Sequence, residues 1–414
     1  MLKYLVQITE DLSAAAVVIG FLFAFSERYF NDAGRVIFRI INVAGLIAAA
    51  VMAILKNTTN KIDTTIWNWR IFALYLAALV VFLILSYVVS KGKASIPGGI
   101  AAGTLSFSLL IYFLPDVYAY PYTFILSGQK VFSTEFLYRL IGYSLGIILC
   151  VVILIAAERG GKALSKGLFL MVLYSCLLVF GVRFVTSSLQ GLLARRIIPS
   201  NHNLFMIAKF SANKSYWFTY LILLISLVPA VWIWISSFHV NESYSNPAEH
   251  RKIRAKWRFR RRWACTLLVT FFISMVNLIP VKAYINKPFE IAPIEDAAKV
   301  DDENVWVGFD QVEDGHLHRF AYKTDKGIEV RFIIIKKPNS SAYGVGLDAC
   351  DICGETGYYE KKGQVVCKLC DVVMNIQTIG FKGGCNPIVI PYKIEDGYIK
   401  VAISGLEENQ DEFK

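Results

Sequence analysis

Charge is scarce in this chain. Only 18% of its 414 residues are charged while 55% are hydrophobic, and the mean hydropathy is +0.48; this excludes an ordinary soluble enzyme. Histidine is rarer still, with five residues in all. None lies deep within an apolar run, which excludes the paired axial ligands of a haem-based transmembrane reductase. No apolar segment carries repeated carboxylates suited to a hard cation. Also missing are a Walker phosphate loop, a serine–histidine–acid arrangement and a dinucleotide glycine fingerprint, so ATPase, hydrolase and NAD-dependent readings fall away. The excess positive charge of +11 is concentrated in one short segment beside apolar runs, where membrane topology explains it better than nucleic acid does.

What is abundant is apolar sequence of membrane-spanning length. A helix needs about 20 apolar residues to cross the hydrocarbon core, and on that criterion the first two-thirds of the chain holds about eight spans. Their expected limits are Leu12 to Phe30, Val36 to Leu55, Ile71 to Val89, Pro97 to Val117, Phe136 to Ala157, Leu168 to Leu193, Tyr216 to Phe238 and Trp263 to Ala283. Pro115 and Arg183 interrupt the fourth and sixth. Glu10 and Asp11 precede the first run and no small-residue cleavage site follows it, so the first helix is expected to remain in the mature protein. Fold class is thus a polytopic α-helical membrane domain over residues 1–284, followed by a small domain over 285–414.

Lys and Arg concentrate in cytoplasmic loops. The segment His250 to Arg262 holds Arg251, Lys252, Arg254, Lys256, Arg258, Arg260, Arg261 and Arg262 and reads as a cytoplasmic loop that also touches anionic lipid. Lys91/Lys93 and Lys162/Lys166 then fall on the same side, and both chain ends lie outside. Arg195, Arg196, Lys209 and Lys214 fall on the outer side against the rule. Ionisable residues within spans are costly. Arg183 is the clearest; Arg39, Arg139, Glu27 and Glu158 lie nearer helix ends, where they anchor at the interface.

After Pro280 the long apolar runs give way to short alternating segments between Gly, Pro and Asp clusters, placing a boundary near Tyr284 to Pro288. Val305 to Phe309, His318 to Tyr322, Ile328 to Ile335, Gln364 to Val366, Ile388 to Tyr392 and Ile399 to Ile403 read as strands, with Lys326-Gly327 as a hairpin turn. The expectation is a compact, mainly β, cysteine-rich extracytoplasmic domain.

Five of the eight cysteines fall within it; Cys150, Cys176 and Cys265 lie in or beside predicted helices as small buried apolar residues. Cys350-x-x-Cys353 and Cys367-x-x-Cys370 are each written as a turn, with Gly354 after the first pair. Two such knuckles facing each other make a tetrahedral thiolate site, used alike by zinc ribbons and iron–thiolate centres. Structural disulfides and thiol–disulfide redox are the competing readings, and an odd count of five leaves one thiol unpaired. Cys385, in Gly383-Gly384-Cys385-Asn386-Pro387, is a fifth candidate ligand. His316 and His318 form an H-x-H on an expected strand, so both rings would project from one face as further candidate metal ligands. Met374 is read as packing, with copper ligation the lesser reading.

Arg331-Phe332, Asp348-Ala349-Cys350-Asp351-Ile352-Cys353, Gly357-Tyr358, Val366-Cys367-Lys368-Leu369-Cys370 and Gly383-Gly384-Cys385-Asn386-Pro387 resemble the bacterial membrane proteins with a C-terminal DUF2318 domain, a family of iron–sulfur-containing membrane proteins. Asp371 departs from the glycine expected after the second pair. The resemblance covers roughly the last hundred residues. It implies a component of the bacterial cytoplasmic membrane serving iron acquisition, alongside an iron permease, a periplasmic iron-binding protein, an export-type ABC transporter and thioredoxin-like proteins. It also implies that Cys350, Cys353, Cys367, Cys370 and Cys385 carry an iron–sulfur cluster or mononuclear iron, with zinc as the structural alternative. No internal glutamate motif of the iron-permease kind appears. A membrane-anchored metal-binding or electron-transfer protein is therefore the leading expectation. The alternatives are an ion or small-solute transporter with a metal-stabilised docking domain, and a membrane thiol–disulfide oxidoreductase.

Overall fold

In the computed structural model, the described residues are 1–59, 62–124, 134–199, 201–240, 242–286, 291–338, 340–361, 363–369, 372–381 and 386–413. The expected boundary falls partly on 287–290, outside them. The chain forms two compact units, Met1–Asn286 and Lys287–Lys414.

The first unit is all helix: α1 (Leu2–Tyr29), α2 (Asp32–Thr58), α3 (Thr64–Val89), α4 (Ser95–Ala119), α5 (Thr134–Ala163), α6 (Lys166–Ala194), α7 (His202–Lys214), α8 (Tyr216–Ile225), α9 (Leu227–Phe238) and α10 (Pro247–Val276). Among the described residues, eight segments have the length and hydropathy to cross a membrane, with α8 and α9 forming one of them; this is a multi-pass membrane protein. Contacts between helix ends show that the spans alternate in direction. At one end Arg28 Nη1 donates to the Leu164 carbonyl at 3.0 Å and Lys166 Nζ to that of Ser90 at 3.2 Å. At the other, Tyr4 meets Thr123, Arg195 pairs with Asp63, and Lys282 pairs with Glu10.

Two expectations are corrected here. The first helix starts at Leu2 rather than Leu12, because Glu10 and Asp11 find partners inside the bundle: Lys282 Nζ donates to both Glu10 oxygens, and Tyr120 Oη donates to Asp11 at 2.6 Å. The basic segment is not a loop. Asn246 caps Glu249 N–H at 2.9 Å, Pro247 occupies the first turn, and the Arg/Lys run that follows contains no breaker, so it continues unbroken into the apolar part of α10. The seventh span has its expected limits, Tyr216–Phe238, with an interruption inside it at Ser226, three residues before Pro229, whose ring and missing N–H oppose a continuous helix. Pro280 is accommodated differently, within a π-helical turn over Asn277–Val281 that joins α10 to a last helical turn, Lys282–Ile285.

The second unit is built from two four-stranded sheets and a hairpin. One sheet runs in the order β1 (Ile294–Glu295), β4 (His318–Lys323), β5 (Glu329–Lys336), β6 (Tyr343–Leu347). It is antiparallel except where β1 pairs with β4. The other runs β2 (Lys299–Val300), β3 (Asn304–Gly308), β10 (Tyr398–Ala402), β9 (Tyr392–Glu395), while β7 (Tyr358–Lys361) pairs with β8 (Gln364–Cys367). The β4–β5 turn forms as expected: Gly327 has φ +81° and its N–H reaches the Thr324 carbonyl at 2.8 Å.

The unbroken apolar run of β5 is explained by burial on both faces. Val330, Phe332 and Ile334 join Val305, Val307, Ile399 and Val401 in a core shared by the two sheets. Ile333 and Ile335 point the opposite way, into a second cluster that contains cysteine. The expected strand Ile388 to Tyr392 is not one. Residues 388–391 run beside β6, with Ile388 exchanging hydrogen bonds with Leu347 N–H at 2.8 Å and the Ala349 carbonyl at 3.1 Å, and pairing as a strand begins only at Tyr392.

Candidate metal centre

The first cysteine pair follows directly from β6. Cys350 and Gly354 exchange backbone hydrogen bonds at 3.2 and 2.9 Å, closing a tight loop, and Gly354 takes φ +60°. Inside that loop Cys353 N–H donates to Cys350 Sγ at 3.2 Å. This is the knuckle geometry expected for thiolate ligands, where an amide stabilises the sulfur. Cys367 ends β8 opposite Tyr358, and its N–H bonds the Val372 carbonyl at 3.0 Å, so the chain returns to its starting point two residues beyond Cys370.

Cys350 and Cys367 are almost fully buried. With Cys353 packed against them, they share one apolar cluster with Leu317, Ile333, Ile335, Tyr358, Val365, Met374 and Ile379. Met374 packs in that cluster. The thiols of Cys350 and Cys367 are free. Cys370, Asp371, Gly383, Gly384 and Cys385 lie outside the described residues. Among the described residues, no three His, Cys, Asp or Glu side chains converge as a metal site. Cys150 and Cys176 are buried among the helices, whereas Cys265, expected to be buried, is exposed.

Under the first knuckle lies a buried charge cluster that reading for cysteine alone missed. Asp348, wholly inaccessible, accepts from Arg319 Nε at 3.0 Å and Nη2 at 2.5 Å; Arg331 Nε stands 3.8 Å away. Its other oxygen accepts Tyr358 N–H at 2.7 Å, binding the start of β7 to the strand that leads into Cys350. Gly357, at φ +80°, has its open side against this carboxylate; a β-carbon there would stand 2.6 Å from Oδ1. The signal was present in Asp348-Ala349-Cys350 and Gly357-Tyr358, but the burial that gives it meaning is tertiary. Burial pushes the Lys368 ammonium below its ordinary range; Asp348 opposes the shift, while Arg319 and Arg331 add to it. Lys368 thus sits within electrostatic reach of Cys367, one carboxylate and two guanidinium groups.

The H-x-H expectation changes. β4 begins at His318, leaving His316 in the preceding turn, where Asp314 accepts the His316 N–H at 2.8 Å and Gly315 has φ +81°. The alternation rule therefore does not place both rings on one face. His316 Nδ1 lies 2.9 Å from Glu360, and this hydrogen bond raises its pKa. His318 has both ring nitrogens on carboxylates, Nδ1 to Glu295 and Nε2 to Asp314, each at 2.8 Å. Burial alone would lower the His318 pKa, but the two carboxylates outweigh it and the value lies above the ordinary one.

With this geometry in hand, the comparisons with known proteins are specific to the second unit. Residues 312–413 match the model of the FtrD-like family, described as membrane iron-sulfur containing proteins. The resemblance carried by the cysteine motifs is thereby shown for the C-terminal hundred residues, which include all five clustered cysteines and both histidines. No curated protein and no solved structure matches the chain.

Proposed function

We propose that the chain is a membrane-anchored metal-binding or electron-transfer component of bacterial iron uptake. Its cysteine domain holds an iron–sulfur cluster or a mononuclear iron through Cys350, Cys353, Cys367, Cys370 and Cys385. The observation that carries this is the burial of Cys350 and Cys367 in one apolar cluster, with Cys353 packed against it. The flanking described residues are tied to the same two cysteine segments: Cys367 N–H bonds the Val372 carbonyl, and Ile388 N–H bonds the carbonyl of Ala349, which precedes Cys350.

The residues fit such a centre. Thiolates are the soft donors that iron–sulfur clusters require. An amide already donates to Cys350 Sγ, and the Lys368 ammonium lies within electrostatic reach of Cys367, which suits an anionic thiolate assembly. A bound iron–sulfur centre supplies one-electron transfer. The chain's own contribution is to bury the sulfurs, turn the first knuckle tightly at Gly354, leave room at Gly357 for Asp348, and neutralise that carboxylate. His316 and His318, engaged by carboxylates, tie the edge of the domain together instead of completing the ligand set.

Membrane orientation follows from charge. With the Arg/Lys-rich start of α10 in the cytoplasm, Lys91, Lys93, Lys162 and Lys166 lie on that side, and the cysteine domain emerges on the other face of the cytoplasmic membrane. There it is placed to exchange metal or electrons with an external partner.

The test uses the full chain purified anaerobically in detergent, with its visible spectrum and its iron, sulfide and zinc content measured. Iron with sulfur-to-iron charge-transfer absorption is expected, and Cys353→Ser and Cys370→Ser each should lose it. A colourless protein with one zinc would remove electron transfer and leave a structural site. Full iron content in both variants would overturn the ligand assignment.

A further inference from the structure

The membrane unit contains a polar cavity unrelated to the cysteines. It has a volume of about 460 Å³ and lies among α3, α4, α6 and α7. Asn68, Ser187, Gln190 and Ser211 give it hydrogen-bonding walls, and Trp69 and Tyr112 give it aromatic ones. Arg195 lines it near the end of α6 and Arg183 lines it three turns deeper, roughly 18 Å along the helix.

The two arginines are in different states. Arg195 is satisfied, with Nη2 donating to both oxygens of Asp63 at 2.9 and 2.6 Å. Arg183 stacks over the Phe113 ring at 5.1 Å, but its Nη1 is buried and has no hydrogen-bond partner among the described residues. The acidic groups within electrostatic reach are Asp11 and Glu10. Both are occupied, Asp11 by Tyr120 Oη and Glu10 by Lys282 Nζ. Neither is bonded to Nη1. A buried N–H left unmade is costly, and a guanidinium costs more than a neutral group. Its forked donors match the paired oxygens of a carboxylate or phosphate.

We propose that this cavity is an oxyanion-binding site in which Arg183 holds a carboxylate or phosphate group, of a small solute or of a lipid headgroup. The walls supply neutral hydrogen bonds, and the Asp63–Arg195 pair stands at the end where α3 begins and α6 finishes. The site is independent of the metal-centre reading: it shares no residue with that centre and tests separately from it.

The experiment takes the full chain in phosphatidylcholine nanodiscs, titrated calorimetrically with inorganic phosphate and with citrate, alongside thermal melts in discs containing phosphatidylglycerol. Saturable binding of a soluble anion identifies a solute site. A raised melting midpoint only with phosphatidylglycerol identifies a headgroup site. Arg183→Gln should weaken either response by about tenfold or more, as loss of a charge-assisted hydrogen bond requires. Ser187→Phe, which fills the cavity and leaves the guanidinium in place, should do the same. Should both variants misfold, phenylglyoxal labelling of Arg183 in the unmodified protein serves instead, with saturating anion or phosphatidylglycerol expected to protect it. No response to phosphate, citrate or phosphatidylglycerol overturns the proposal, as does a response that survives both variants or labelling that no anion slows.

Discussion

Replacing Asp348 by Asn should loosen the cysteine domain far more than its conservative shape suggests. The wild-type carboxylate is fully buried and takes two hydrogen bonds from Arg319, itself only 8% exposed at its side chain, while Arg331 stands at 3.8 Å. Asn keeps an acceptor for Tyr358 N–H but removes the charge, leaving the buried Arg319 guanidinium uncompensated, while Arg331 keeps Glu355 at 4.0 Å. Breaking a buried pair this way costs about 3–5 kcal/mol. At about 1.4 kcal/mol per tenfold, amides that exchange through opening of the domain should speed up roughly 10²- to 4 × 10³-fold. The assay is hydrogen exchange with mass spectrometry on the full chain, followed over peptides covering Tyr358–Cys367 and compared with peptides from α1 as an internal reference. A change below about tenfold, or under 1.4 kcal/mol, would refute the claim that this pair organises the first knuckle. The double variant Arg319→Met, Asp348→Leu separates charge from packing. Buried pairs replaced by apolar side chains are often neutral, so protection should return to within about 1–3 kcal/mol of wild type, the remainder being the unaccepted Tyr358 N–H.

Other outcomes follow from the same geometry. Gly357→Ala places a methyl group against the Asp348 carboxylate at a positive φ; a loss of at least about 1–3 kcal/mol is expected, read as increased exchange over β7 together with reduced iron content. His318 ties β1 to β4, and its folded pKa lies above its ordinary 6.5, so its contribution is complete below that pH and is lost as pH rises through the folded value. Asp314 is shifted the other way: burial would raise its pKa, but hydrogen bonds from His318 and the His316 N–H bring it below the ordinary 3.8. Its contribution is present above that pH and lost as pH falls through the folded value. Protection of Ile294–Glu295 should therefore be greatest between these limits, and His318→Gln should abolish the decline on the alkaline side; a wild-type profile in that variant would remove the His318 account. Chelation of the bound metal should raise exchange selectively over Cys350–Gly354, because ligand loops gain order from the metal they hold, and unchanged exchange there after complete metal loss would contradict the proposed ligation.

The eight spans and the switch to a small β domain were legible in the sequence, because hydrophobic length and two-residue alternation are local signals. The paired cysteines announced a candidate centre for the same reason: short spacing makes a knuckle without help from distant chain. What sequence could not place was whatever depended on a partner far along the chain. Glu10 and Asp11 read as lying before the first apolar run until Lys282 and Tyr120 were seen to meet them. The strand Tyr343–Leu347 alternates large apolar residues with glycine instead of polar side chains, because Gly344 and Gly346 make room for Ile379 and Pro387. His316 and His318 looked alike by spacing, and the turn at Gly315 and three carboxylates drawn from different segments parted them. The cysteine motifs themselves were thus a property of the sequence. Tertiary structure alone decided that they rest on a buried Arg319–Asp348 pair, and that Arg183 faces a cavity with a donor to spare, since burial and the satisfaction of charge exist only once the chain has folded around them.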